Sequence, residues 1–195
     1  MRRAFAWAAA VLVGLALGVG SALGTVEFGR NTFVEHVGPW TYSRAAGSTA
    51  AGPYTRAIIA REALLALSSE EATYLSLDRD ENGLPLQESC IYELSGGALR
   101  ARWWSITLYA PDFFLARNGD HAFSVDATRI DADADGRWRV RISPVQGEAV
   151  NWLSSRDARR GFSLMLRLYN LPDGYTLRSA DLPVLRTLSC PSAQP

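Results

Sequence analysis

The sequence predicts a mainly β protein, a jelly-roll-like antiparallel β-sandwich with one amphipathic helix before it and a transmembrane helix at its N-terminus. Three observations carry this expectation. Ala4 to Gly24 hold no charged residue, the stretch from Pro53 to Leu67 places apolar residues at helical spacing, and from Ala72 onward apolar and polar residues alternate in short segments broken by turn residues.

Arg2 and Arg3 stand immediately before the uncharged run. At about 1.5 Å per helical residue, Ala4 to Gly24 span about 31 Å, which matches a hydrocarbon core of roughly 30 Å. The positive-inside rule keeps the two arginines in the cytoplasm. The chain is then a single-pass protein of the inner membrane, with its C-terminal domain in the periplasm or outside. Ala22-Leu23-Gly24 also offers the small residues that a signal peptidase accepts, so a cleaved signal peptide competes with a retained anchor. The run exceeds the usual h-region of about 7 to 15 residues, which favours retention. Gly14 and Gly18, with Ala10 one turn earlier, have a spacing that lets two membrane helices approach closely and so allows a homodimer through this helix, though such matches arise by chance in an Ala/Gly-rich segment.

Residues 25–52 are rich in Gly, Ser, Thr and Ala and read as a linker, residues 53–190 as the β domain and residues 191–195 as a tail. Pro53 suits the first helical position, and Ile58, Ile59, Leu64, Leu65 and Leu67 continue one amphipathic helix. Strands follow near Ala72 to Leu77 and Glu88 to Leu94, flanking the turn sequence Asp78-Arg79-Asp80-Glu81-Asn82-Gly83, which suits a hairpin. Further strands are expected over Arg102 to Tyr109, near Phe113 to Leu115, His121 to Val125 and Arg129 to Asp131, and then over Arg137 to Ser143, Phe162 to Tyr169 and Leu182 to Leu188. Alternation points Trp104, Ile106, Leu108, Phe162, Leu164, Leu166 and Leu168 inward. It leaves Trp103, Ser105, Thr107, Tyr109, Arg167 and Tyr169 on the opposite face. In Arg137 to Ser143 the outward set is Arg137, Arg139 and Arg141, as expected of a sheet with one wet face.

Charge and cysteine usage narrow the class. Acidic and basic residues balance to zero formal charge, which excludes nucleic-acid binding through a basic stripe. All the strongly basic residues are Arg and none is Lys, a pattern read as genomic base-composition bias. Cys90 and Cys190 are the only cysteines, and outside the cytoplasm they are expected to form one disulfide.

The run Arg102-Trp103-Trp104-Ser105-Ile106-Thr107-Leu108-Tyr109, then Asn151-Trp152-Leu153 and Phe162 to Asn170, resembles the bacterial domain-of-unknown-function family 1214, as does Glu71-Ala72-Thr73-Tyr74-Leu75. The likeness covers roughly Pro53 to Leu188. It implies a jelly-roll β-sandwich, commonly in exported or envelope proteins, and no agreed activity or catalytic residues. Many longer relatives carry a preceding partner domain from unknown-function family 1254, whose place is taken here by the membrane segment.

No motif assigns a cofactor or a metal. Asp78, Asp80, Asn82 and Gly83, and again Asp131, Asp133, Asp135 and Gly136, match the opening of a calcium loop, but the twelfth positions hold Ser89 and Ile142 in place of the bidentate Glu. These residues are read as tight turns. His36 and His121 lie in no zinc spacing, and no serine sits in a nucleophile elbow. The candidate ligand-binding face is therefore Trp103, Ser105, Thr107 and Tyr109 with Arg167 and Tyr169, where aromatic rings and a guanidinium can stack on a sugar or grip an anion. The expected function is a binding or accessory module for a glycan, lipid head group or protein partner, anchored through residues 4–24. The alternative is a periplasmic enzyme acting on an envelope polymer or small metabolite.

Overall fold

The computed structural model describes residues 2–28, 34–61 and 66–191. Helix α1 runs over Arg2–Phe28 and is long and apolar enough to cross a membrane. No part of its apolar window is buried against the rest of the chain, unlike the core helix of a soluble protein. An anchor and a signal sequence both fit that exposure. The second helix, α2, covers Pro53–Arg61 and lies against α1. Leu64 and Leu65, expected within it, fall outside the described residues. Leu67 lies beyond the helix and is exposed.

Among the described residues, ten strands make two sheets. They are β1 (Glu35–Val37), β2 (Trp40–Tyr42), β3 (Ala72–Leu77), β4 (Ile91–Gly96), β5 (Trp103–Tyr109), β6 (Ser124–Asp126), β7 (Trp138–Ser143), β8 (Trp152–Ser154), β9 (Ser163–Tyr169) and β10 (Val184–Ser189). One sheet has six strands in the order β1-β2-β3-β9-β5-β6, and the other has four in the order β10-β4-β7-β8.

A single buried cluster draws on both sheets. Leu75, Leu77, Ile106, Leu108, Leu164 and Leu166 come from the six-stranded sheet, and Tyr92, Leu94, Val140, Ile142 and Leu185 from the other. Each fully buried side chain of this kind contributes about 1.5–3 kcal/mol. The indoles of Trp104 and Trp138 stack between the sheets at 5.0 Å and 26°. Cys90 and Cys190 form the expected disulfide, fixing the end of β10 beside the start of β4.

Several expectations give way. Residues 25–52 are not merely a linker, because β1 and β2 extend the six-stranded sheet. Trp40 is fully buried there, with its Nε1 donating to Pro183 O at 2.8 Å. An indole needs a core and an acceptor, and only folded backbone supplies both. The acidic turn after β3 does not pair β3 with β4. Only Arg79 and Pro85 bridge across it, and the chain then passes to the other sheet.

The sheets are not wholly antiparallel, since β7 and β8 run parallel. Asn151 fixes this direction, its Nδ2 donating to Asp131 O (2.7 Å) and Arg139 O (2.9 Å) as the chain returns to the start of β7. Phe113 to Leu115 form no strand, and Phe113 has a positive φ of 63° in a turn closed by Phe113 N–H donating to Ala110 O. Arg129 to Asp131 likewise follow a turn organised by Asp126, whose Oδ1 accepts the Thr128 and Arg129 N–H groups.

Candidate functional site

Strands β5 and β9 are neighbours, paired in the register Trp103↔Tyr169, Ser105↔Arg167 and Tyr109↔Ser163. Because side chains alternate across a strand, the six expected residues share the face turned away from the core. Their partners are largely one another. Arg167 donates from Nη1 to Thr107 Oγ1 (3.0 Å) and from Nη2 to Tyr109 Oη (2.6 Å), and its guanidinium lies 5.6 Å from the Tyr109 ring centre. Trp103 meets Tyr169 at 5.2 Å and 58°, while its Nε1 donates to Thr128 Oγ1 at 2.9 Å.

Ser105 and Thr107 are buried, and Trp103, Tyr109, Arg167 and Tyr169 are half-buried. The face continues through Tyr74 on β3, which pairs with Arg167. Its Oη accepts the Leu67 N–H at 2.9 Å, so the chain after α2 covers that end. What remains open is an aromatic surface whose guanidinium is held in place by a hydroxyl and a phenol.

The acidic turns serve the backbone. Asp80 Oδ1 accepts the N–H groups of Asn82 and Leu84, both at 2.9 Å, and Asp133 Oδ1 accepts those of Asp135 (3.1 Å) and Arg137 (2.8 Å). Gly83 and Gly136 supply the left-handed conformation each turn requires, at φ of 75° and 72°. His36 lies on β1 and His121 just before β6, at opposite edges of the six-stranded sheet. Both are exposed.

Alternation did not point to a network beside β8. Ser154 is fully buried and donates to Asp120 Oδ2 at 2.6 Å, and Arg156 donates to the same carboxylate from Nε at 2.9 Å and from Nη2. Hydrogen bonds from Arg156 and then Ser154 hold the Asp120 carboxyl below the usual aspartate range. In the following turn Asp157 and Arg159 adopt φ of 62° and 64°, conformations that cost non-glycine residues about 1–3 kcal/mol each. The Glu88 carboxylate compensates, accepting their N–H groups at 3.0 and 2.9 Å. Nothing in residue spacing announces this long-range pairing.

The outer face of the four-stranded sheet carries a cleft of about 730 Å³. Arg137, Arg139, Arg141 and Arg186 line it together with Glu93, Asp131 and Asp133. The arginines on β7 were legible in the sequence as an outward row, but their gathering with Arg186 depends on the pairing of β10 with β4.

The family described as "Protein of unknown function (DUF1214)" matches residues 71–173, more than half of the chain. The chain belongs to this family. The DUF1214 match covers the strands from β3 through β9, and so includes every residue of the aromatic face. Among solved structures, the VPA0106 protein of Vibrio parahaemolyticus is similar at a TM-score of 0.55 and 24% identity, over 71% of this chain and 36% of that one. An uncharacterized protein from Burkholderia cenocepacia matches at a TM-score of 0.47 and 14% identity, over 60% and 29%. The chain thus spans well under half the length of either, and the Vibrio likeness shows a shared fold. No protein of curated function matches.

Proposed function

We propose that this DUF1214 protein is a membrane-tethered binding module of the cell envelope, whose β domain engages a glycan on the outer face of β5 and β9. Its two sheets form a jelly-roll-like sandwich in this reading, with residues 4–24 as the anchor in the inner membrane and the domain in the periplasm.

The observation that carries the proposal is the half-buried Trp103–Tyr169 pair beside the fixed Arg167–Tyr109 pair. Rings already held by neighbours lose little freedom on binding, which favours stacking on a flat, hydroxylated ligand. A lipid head group or protein partner would use the same surface. A homodimer through Gly14 and Gly18 would leave it open.

Two measurements test this. Fractionation should recover the unprocessed chain in the inner membrane, with the domain digested only by protease added to the periplasmic side. Titration of the full chain in detergent with neutral oligosaccharides should quench tryptophan fluorescence, and Trp103→Ala should abolish the quenching while leaving thermal unfolding in place. Equal quenching in the variant would overturn the assignment.

A further inference from the structure

The cleft on the four-stranded sheet is chemically distinct from the aromatic face. Among the described residues, the guanidinium groups of Arg137, Arg139 and Arg141 form no ion pair or side-chain hydrogen bond. Elsewhere in the same chain surface arginines do find carboxylates, as in Arg129–Asp126, Arg156–Asp120 and Arg178–Asp181. Arg139 and Arg141 point out of one strand two residues apart, so their Cα atoms stand about 7 Å apart.

Arg186 lies on β10, two strands across, with Glu93 between it and Arg141 in register. At about 4.8 Å per strand, that separation is about 10 Å. Guanidinium forks at such distances suit one ligand carrying repeated anionic groups rather than a single small ion. The acids in the cleft select further. Glu93 and Asp131 would repel a polymer of phosphates alone but would accept hydrogen bonds from hydroxyl groups.

We propose that this cleft binds a linear acidic saccharide, its carboxylates taken by Arg139, Arg141 and Arg186 and its hydroxyls by Glu93 and Asp131. The site requires no tether and no contribution from the aromatic face, so it stands or fails separately from the function proposed above.

The test is calorimetric titration of the full-length protein in detergent with an oligogalacturonate. The arms are the same oligomer fully methyl-esterified, the monomeric sugar acid, and inorganic polyphosphate. The oligogalacturonate is expected to bind, with affinity falling as salt rises, and the ester, the monomer and polyphosphate each to bind at least about tenfold more weakly. Arg139→Gln and Arg141→Gln together should weaken binding by at least about tenfold with unfolding temperature unchanged, and Trp103→Ala should leave it unaltered. If the double variant fails to fold, Arg186→Gln alone should weaken binding severalfold. Binding of polyphosphate as tightly as the oligogalacturonate, undiminished binding by the ester or the arginine variants, or no binding at all would each overturn the proposal.

Discussion

Gly96 lies against the Trp138 indole within the four-stranded sheet, and replacing it by alanine should destabilise the domain. It faces Trp138 in register on β7, and a Cβ built there would lie 2.5 Å from Cζ2 and 2.9 Å from Cη2 of the indole. Carbon atoms prefer about 3.5–4.0 Å, so the ring would have to retreat by about 1 Å. It is held from two sides, by Nε1 donating to Gly97 O at 2.9 Å and by the stack on Trp104.

Overpacking costs about 1–3 kcal/mol. Weakening the indole hydrogen bond adds about 0.5–1.5 kcal/mol. The smaller entropy of the unfolded alanine chain returns about 0.4–1 kcal/mol. At the midpoints of these ranges the net loss is about 2 kcal/mol, and at about 2–4 °C per kcal/mol the midpoint should fall by roughly 4–8 °C. Thermal unfolding followed by near-ultraviolet circular dichroism reports the tryptophan stack directly. Gly97→Ala is the control, since nothing lies within 4 Å of its added Cβ and the change should stay within about 0.5 kcal/mol. A Gly96→Ala protein as stable as the parent, or equal losses in both variants, would refute this account of the packing.

Two further outcomes follow from the chain's covalent and ionic ties. Reducing the Cys90–Cys190 bridge, or replacing both cysteines by serine, opens a loop with a sequence separation of 100 and should cost up to about 4.7 kcal/mol, readable as a lower denaturant midpoint. An unchanged midpoint would refute this account of the bridge. Acid should destabilise the domain through Asp120 and Asp181, whose carboxyls hydrogen bonds from Arg156 and Arg178 hold below the ordinary value. A lowered folded-state value stabilises at pH above the unfolded aspartate value of about 3.9 and is lost as pH falls through the folded value. The melting temperature should therefore drop with acidification below about pH 4, and less steeply in Asp120→Asn; an identical acid slope in that variant would exclude Asp120 as a contributor.

Period-two alternation was a sound guide wherever a strand has one buried face. It sorted Trp104, Ile106 and Leu108 from Trp103, Ser105, Thr107 and Tyr109, and the burial of each set follows that split with Ser105 and Thr107 covered as well. It failed at β1, β2 and β8, each three residues long and offering too few positions to show a period. Strand pairing lay beyond it. The aromatic face was legible because its residues lie on two strands with clear faces. The Glu88 contact with the turn at Asp157 and Arg159 was not, since it joins residues about 70 positions apart through backbone donors that no side-chain pattern reveals. The arginine row on β7 was visible, but Arg186 reaches it only through the order β10-β4-β7.

The bridge between Cys90 and Cys190 encloses every strand from β4 to β10 and leaves β1, β2 and β3 outside the covalent ring. Mechanical load arriving from the N-terminal helix would reach β1 and β2 first, at the margin of their sheet, and peel them before tugging β3 from β9. Extension would then halt at Cys90, with the remaining seven strands spared the pull.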